Sequence, residues 1–553
     1  MRSRLRRLFY RLIRCIVDWN TARSTLNVSF PASRGRNYLM EPLFPQTDGC
    51  GFFTKFFCED VINPLALSYT RYKLEIVDGR LCEANKTHRV EIDRPSALPY
   101  AVTNVDFFNT KGRYSTDFTF NGKHHNFQFL ASERFYFLPL REKGTAEFRS
   151  VHDLVIGKPL PLTQAKKHRH KLVLMLFVDS FSWEIMNRIE PEKDIPNIHR
   201  FFSKGTVFEN CYSNSNWTVP GVASIVSGKT IARHRMFHPR HDIVVGDDYP
   251  VISELCQKDD YLTFQACGNW RKTPSYGYVK GFDRTVYKNG LQLGETLGAF
   301  LEHMRAFPER DNFAWLSIND MHHSVSMIPD IANQLNAPLE AQDYYFVSAK
   351  TPLQLEPSEK KAVRLIEELK RIDFHLGSLF SFIENTYGDD EFLVVLCTDH
   401  GTTYLTEDHK MLPRERCHVA FMLRGGGVPA GRSGEIVQSN DIMPTLLELI
   451  GIDTNVPFEG RVPEVLGGPA ARTHAVTEIL FPGSAYEATI KDDEFDFYLK
   501  TEKPVDDDGG IDFSGYQSSL YRKDDFNRDV VQYHPEKVKA LKKVILELHS
   551  EKV

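Results

Sequence analysis

Asp179, Thr218, Asp399 and His400 are the side chains of this sequence whose types and settings could jointly hold a cation and activate an oxygen. Each follows an apolar run or stands at the head of a helical stretch. Two carboxylates, one imidazole and one hydroxyl form a hard-to-borderline donor set, which suits one divalent ion, Zn²⁺ or Mn²⁺, with Ca²⁺ as a further alternative. Such an ion on the Thr218 oxygen would lower its pKa, hold it as an alkoxide and polarise a phosphoryl oxygen beside it. Thr218 is expected at the N-cap of a helix opening in the stretch Asn216–Gly228, where Pro220, Ala223 and Ile225 suit the first turns. The free amides and dipole of that helix end favour an anion in front of the hydroxyl. Taken singly these residues say little, because an aspartate after a strand is usually a turn former and Asp-His-Gly is often only a turn. Their recurrence in one repeating architecture is the signal.

Several residues could assist. A strand ending at Ile318 is followed by Asn319-Asp320-Met321-His322-His323, and either histidine could protonate a leaving oxygen. Strand spacing favours His322; the following Ser324 favours His323. His409 and Lys410 are candidates to reach a substrate, and His418, which opens the next strand, is a candidate ligand or substrate contact. The run Arg233, His234, Arg235, His238, Arg240 and His241 follows the Thr218 helix; it reads as a solvated surface or as an anion site, since guanidinium pairs well with phosphate.

The elements that must position these groups divide the chain into four parts. Residues 1–60 begin with a basic amphipathic helix over 1–19, with Leu5, Leu8, Phe9, Leu12, Ile13 and Ile16 at helical spacing and six arginines between them. It fits either an anionic membrane surface or a face of its own protein. Residues 61–165 read as a β-rich accessory domain, a small sandwich. Its alternating strands begin near Tyr72–Val77 and include Val90–Ile92, Val105–Phe108, Asp117–Phe120 and His125–Phe129, with Asp-Gly and Asn-Gly turn signals. Its aromatics are candidates for sugar binding. Pro159–Leu162 and Lys166–Lys171 read as a linker. Over 166–470 strands and helices alternate, which predicts an α/β domain with a mostly parallel central sheet flanked by helices. The expected strands are Leu172–Val178, Tyr261–Cys267, Asn312–Ile318, Phe392–Cys397 and Val419–Leu423. The expected helices are Val251–Gln257, Leu293–Arg305, Ser358–Asn385 and Asp441–Ile450. Residues 471–553 add a small antiparallel sheet and a packed helix over Pro535–Leu548. The ionisable residues fall just past the carboxyl ends of strands, where open α/β sheets bind ligands.

From Lys171 to about Ile452 the sequence resembles the sulfatase-like branch of the alkaline phosphatase superfamily. The resemblance rests on ordered landmarks: the strand ending at Asp179, Pro196-Asn197-Ile198, Gly205-Thr206-Val207-Phe208, Thr218-Val219-Pro220 to Ser227-Gly228, Gly268-Asn269-Trp270-Arg271, Gly281-Phe282-Asp283, Thr398-Asp399-His400-Gly401 and Asp441–Gly451. It implies metal ligands at Asp179, Thr218, Asp399 and His400, and substrate contacts at Asn269 and Arg271. The departures narrow the chemistry. Sulfatases carry a Cys or Ser that becomes formylglycine, with an Arg shortly after; this chain has Thr218 and Val222, and threonine cannot give that aldehyde. A threonine nucleophile is similar instead to phosphoethanolamine and phosphoglycerol transferases and related phosphodiesterases. Asp320 has Ser324 where two-metal relatives place a histidine, so one metal site is expected and a second is left open.

A net charge of −5 gives no general footing for nucleic acid. Nine scattered cysteines without a CxxC pair favour free thiols and a cytoplasmic setting, with membrane-surface contact through residues 1–19 left open. No run is long and apolar enough for a transmembrane helix. The expectation is a metal-dependent phosphoester hydrolase or phosphotransferase, working through a phospho-threonine on a phosphorylated small molecule, glycan, glycolipid or similar envelope or capsule component. The alternatives are a sulfatase with an atypical nucleophile, or an inactive anion- or glycan-binding relative.

Overall fold

The structure, a computed structural model, describes residues 74–77, 84–102, 116–127 and 135–550, apart from 238–244, 247, 273–275, 289, 324–330, 337–339, 341–357, 404 and 406–411. The expected helix over 1–19, the strand Val105–Phe108 and the candidates His238, Arg240, His241, His409 and Lys410 lie outside the described residues.

Along the chain, β1 (Leu74–Val77) precedes seven accessory strands: β2 (Ala84–Ile92), β3 (Ser96–Val102), β4 (Thr116–Phe120), β5 (Lys123–Phe127), β6 (Tyr136–Leu140), β7 (Gly144–Ile156) and β8 (Leu160–Pro161). The catalytic region then supplies β9 (Leu172–Val178), β10 (Thr206–Tyr212), β11 (Leu262–Cys267), β12 (Arg284–Tyr287), β13 (Asn312–Ile318), β14 (Phe392–Cys397), β15 (Phe421–Gly425) and β16 (Gly431–Gln438). These join β1 in a nine-stranded sheet of order β1-β12-β11-β13-β9-β14-β15-β10-β16. It is mostly parallel; β1 and β15 run antiparallel to their neighbours.

Strand β9 shows why the sheet forms. Its seven residues are all buried, the pattern of a strand covered on both faces. Alternate side chains enter opposite cores, with Leu172, Leu174, Leu176 and Val178 on one side and Val173, Met175 and Phe177 on the other. The first core is closed by helices Leu293–Ala306 and Glu359–Thr386, the second by helices Thr218–Ser227, Ile252–Lys258 and Ile442–Ile450. Every catalytic-domain strand and helix expected from the sequence is present within two residues at each end. Strands β10, β12 and β16 were not among those expected: half-exposed polar positions blur the apolar run in β10 and β16, and β12 has only four residues.

Three expectations are corrected. The segment Tyr72–Val77 does not belong to the accessory module: Leu74–Val77 pairs with Tyr287–Arg284 at the edge of the central sheet. Alternation fixes a strand but not which sheet recruits it. The described accessory strands form one hydrogen-bonded sheet rather than two facing ones, because the 13-residue β7 is long enough to pair with β2, β4 and β3 along its length. Of its aromatics, Tyr100, Phe118 and Phe148 are buried in its core, with the Phe118 and Phe148 rings 4.9 Å apart. The third correction is the linker. Leu160–Pro161 pairs with β3, and the His168 imidazole, 3% exposed, lies 2.9 Å from Asp311.

The C-terminal antiparallel sheet runs β17 (His474–Ile479), β18 (Ala485–Asp492), β19 (Phe495–Pro504), β20 (Tyr516–Arg522) and β21 (Asp525–Asp529). Helix Pro535–Ser550 packs on it through Leu541 and Ile545. This sheet braces the approach to Thr218: Thr477 Oγ1 donates to the Ser213 carbonyl at 2.5 Å and the Glu478 amide donates to that of Asn214 at 3.0 Å. No helix among the described residues is long and apolar enough to cross a membrane.

Candidate active site

Three adjacent central strands, β13, β9 and β14, deliver the polar groups at their carboxyl ends. Asp179 follows β9, and its amide still bonds the Ile318 carbonyl across to β13. Ser180, next in the chain, holds φ at 70°, a left-handed conformation unusual for a residue with a side chain. Its hydroxyl donates to Asp179 Oδ1 at 3.1 Å. Asp399 and His400 follow β14, where Asp399 Oδ1 accepts the His400 amide at 3.0 Å and the Thr398 hydroxyl at 3.3 Å. His400 Nδ1 is held 2.9 Å from the Gly401 carbonyl, which leaves Nε2 facing inward.

Thr218 is the first helical residue rather than the N-cap; Trp217 occupies that position in extended conformation. The one-residue difference puts the hydroxyl inside the first turn, still at the helix end that carries unpaired amides. The helix comes close to Asp399 because Gly221 lacks a side chain: a Cβ there would lie 2.9 Å from both the Cβ and the carbonyl oxygen of Asp399.

The result is one buried cluster. Thr218 Oγ1 lies 3.4 Å from His400 Nε2, which is 3.5 Å from Asp399 Oδ2 and 3.9 Å from Asp179 Oδ1. Asp179, Asp399 and His400 can each offer one ligand atom, all within 4.8 Å of one another. Among the described residues they are the single such group of three or more. Asp399 Oδ2 is buried with no hydrogen-bond partner, an expensive state for a carboxylate unless a cation completes it. The donor set and that orphaned oxygen fit a divalent ion.

Electrostatics separates the two acids. Burial alone would raise Asp179, but Lys272, His322 and His400 hold it well below the usual carboxylate range. Burial and the neighbouring Asp179 push Asp399 up, against the pull of His400 and Lys272. Lys272 was not among the candidates, although it follows the Asn269-Trp270-Arg271 landmark directly. A single 3₁₀ turn over Trp270–Lys272 swings its ammonium inward, 3.1 Å from Asp179 Oδ2 and 2.6 Å from Asn319 Oδ1. Asn319, one residue past β13, was passed over in the same way. Both share the one usable signal, a polar side chain just past the carboxyl end of a central strand.

The remaining candidates divide. Asn269 donates to Asp179 Oδ2 at 3.3 Å and accepts the Arg271 amide at 2.9 Å. Arg271 is half-buried and electrostatically coupled to Tyr276 and Asp179. His322 lies on the short helix Asp320–His323, its ring 6.3 Å from that of His400, and it acts on Asp179. The side chain of His323 lies outside what the structure describes. Asp320 is turned away and accepts from Arg371 and the Leu293 amide. His418, expected as a ligand or substrate contact, is outside the cluster: Nδ1 is 2.7 Å from Glu184 and Nε2 is 2.6 Å from the Glu209 carbonyl. Of the basic run, His234 is buried with Nε2 3.1 Å from Ser224 Oγ, and Arg235 donates to the Asp508 carbonyl, so these two are structural.

A metal-fitting cluster past the carboxyl ends of a doubly covered, mostly parallel sheet, with a hydroxyl at a helix end beside it, defines the class as the alkaline phosphatase superfamily. Residues 171–452, just over half the chain, match the Sulfatase family model, and the chain belongs to the sulfatase family, whose members are ester hydrolases that use a divalent metal. No curated protein sequence matches the chain. Among solved structures it is similar to the phosphonate monoester hydrolase SpPMH from Silicibacter pomeroyi, at 17% identity and TM-score 0.51, covering 68% of this chain and 94% of that one. It is also similar to the phosphonate monoester hydrolase of Agrobacterium radiobacter, at 17% identity and TM-score 0.52, covering 68% and 95%. A third is BT33494S-sulf, from work on glycosaminoglycan metabolism by Bacteroides thetaiotaomicron, at 17% identity and TM-score 0.54, covering 70% and 97%. Likeness at this level speaks for the fold.

Proposed function

We propose that the chain is a metal-dependent phosphoester hydrolase or phosphotransferase in which Thr218 is the nucleophile. The observation that carries this reading is the Thr218 hydroxyl, 3.4 Å from His400 Nε2 within the Asp179, Asp399 and His400 cluster. Those three side chains and the Thr218 oxygen would hold one divalent ion, Zn²⁺ or Mn²⁺ for this donor set. Bound there, it supplies the charge that lowers the Thr218 pKa and polarises a phosphoryl oxygen.

The chain's own groups do the rest. Thr218 loses its proton to solvent, its oxygen bonds to phosphorus, and the bond from phosphorus to the leaving oxygen breaks in line with it. His322 donates a proton to that oxygen as it departs. Lys272, Asn269 and the amides of the Thr218 helix end offset negative charge on the non-bridging oxygens. Water or an acceptor hydroxyl then attacks the phospho-threonine, returns a proton to His322 and restores the Thr218 oxygen. A phosphorylated glycan, glycolipid or similar envelope component is the substrate class. Scattered cysteines without a CxxC pair support a cytoplasmic setting, and the basic amphipathic pattern of residues 1–19 supports contact with a membrane surface. Family membership favours sulfate esters as the second reading, against which stand Thr218 at the formylglycine position and Val222 where an Arg is expected.

The test compares aryl phosphate mono- and diesters, an aryl phosphonate and an aryl sulfate on the metal-loaded full chain. Thr218→Ala is expected to lower phosphoester kcat/KM by on the order of a thousandfold or more, and intact mass after brief substrate exposure should show a phosphoryl adduct on the wild type alone. Sulfate turnover that survives in Thr218→Ala would overturn the reading.

A further inference from the structure

A cavity of about 430 Å³ lies between the accessory sheet and the catalytic domain. Its walls include Phe137, Leu162 and Phe307, and Arg141, Arg284 and Arg305 also line it. The place is remote from the chemistry. Helix Leu293–Ala306 starts beside Asp320, just past the carboxyl end of β13, and its 14 residues carry the chain to the far edge of the sheet. At 1.5 Å per residue that is about 21 Å. Arg284 is the first residue of β12, at the same far edge.

The two sides of the cavity are fastened together. Arg94 reaches Asp260 at 3.3 Å, Arg310 donates to the Thr163 carbonyl at 2.8 Å, and Arg284 lies 5.9 Å over the Phe137 ring. A cavity of this size is in the range of small-molecule sites. Two of its charges are not internally spent. Arg141 and Arg305 have no ion-pair or hydrogen-bond partner among the described residues, and Glu302 and Glu309, on the rim, pair with neither. Arg284, 7% exposed, places its charge against aromatic rings rather than water.

We infer that this cavity binds an amphiphilic anion, with a phosphate-, sulfonate- or carboxylate-type head on Arg141 and Arg305 and an apolar body along Phe137, Leu162 and Phe307. Guanidinium forks match such heads in geometry as well as charge. The site is separate from the reaction centre and does not depend on the proposed function.

Calorimetry of the metal-loaded full chain with octanesulfonate, which cannot be hydrolysed as an ester, tests the inference. A dissociation constant on the order of 0.1 mM is expected for a ligand of this size, with octanol and methanesulfonate at least tenfold weaker. Arg141→Glu with Arg305→Glu should weaken octanesulfonate at least tenfold and abolish the melting-temperature rise it gives the wild type. Both side chains are exposed, so the variant should melt with the wild type when no ligand is added. Thr218→Ala should bind octanesulfonate unchanged. Affinity retained in the double variant, affinity lost in Thr218→Ala, or no binding up to millimolar ligand would each overturn the inference.

Discussion

His400 and His418 lie 18 residues apart, both are buried, and both lie between β14 and β15 of the central sheet, yet their surroundings are opposite. His418 itself is spent: one ring nitrogen meets Glu184, the other meets the Glu209 carbonyl, and Arg414 closes the cluster with a 2.8 Å bond to the same Glu184. Around His400 the groups are held in reserve. Nδ1 is tied down, while Nε2 faces Thr218 and a carboxylate oxygen that has no partner of its own. Folding gains from satisfying buried charge. A cluster kept short of satisfaction is therefore a place where a ligand completes the balance, and that separates a site from a staple better than residue type does.

Exchanging the two histidines' fates breaks the comparison most sharply. His400→Gln should abolish metal retention and lower kcat/KM on the order of a hundredfold or more, with melting of the metal-free protein nearly unchanged. His418→Gln should leave metal content intact and cost about 2–4 kcal/mol of stability. Metal analysis and denaturant melts read both; metal lost from His418→Gln would erase the distinction.

The staple should also answer to acid. Burial would raise Glu184, but the hydrogen bond from His418 and the charge of Arg414 hold it down to about 2. A carboxyl depressed in the folded state contributes stability that is complete above its unfolded pKa, about 4.5, and that disappears as pH falls towards 2. The shift corresponds to about 3 kcal/mol at most. Glu184→Gln should therefore flatten the stability profile between about pH 4.5 and 2 relative to wild type, as read by urea midpoints. A parallel profile in the variant would show that Glu184 does not supply that slope.

The same contrast explains what could be read without coordinates. Strand β9 announces itself because all seven residues are apolar, and Asp179, Asp399 and His400 announce themselves by closing such runs. Alternation also marked Leu74–Val77 as a strand, but edge pairing with β12 is a contact over 200 residues of sequence and leaves no local trace. His418 also read as a candidate ligand or substrate contact, because the partners that occupy it, Glu184 and Glu209, come from elsewhere in the chain. Gly221 was legible only as part of a motif; its purpose, letting a helix touch Asp399, needs the third dimension.

Lys272 gives the smallest and most discriminating effect. Its ammonium, 2% exposed and 4.0 Å over the Phe177 ring, shares Asp179 with the position a metal would take. Two roles predict opposite signs. If Lys272 only supports the fold of the site, Lys272→Met disorders Asp179 and the metal binds more weakly. If it is a fixed positive charge beside a reserved site, its removal relieves repulsion of the cation, and metal affinity at neutral pH rises. Turnover moves the other way. With one charge fewer, the Thr218 proton is held more firmly and the anionic ester is drawn in less, so kcat/KM falls about tenfold. The expected outcome is this split: a lower metal dissociation constant by competition with a chelator, together with slower phosphoester turnover. Metal affinity and activity falling together would place Lys272 with His418, among the groups whose charge is already spent.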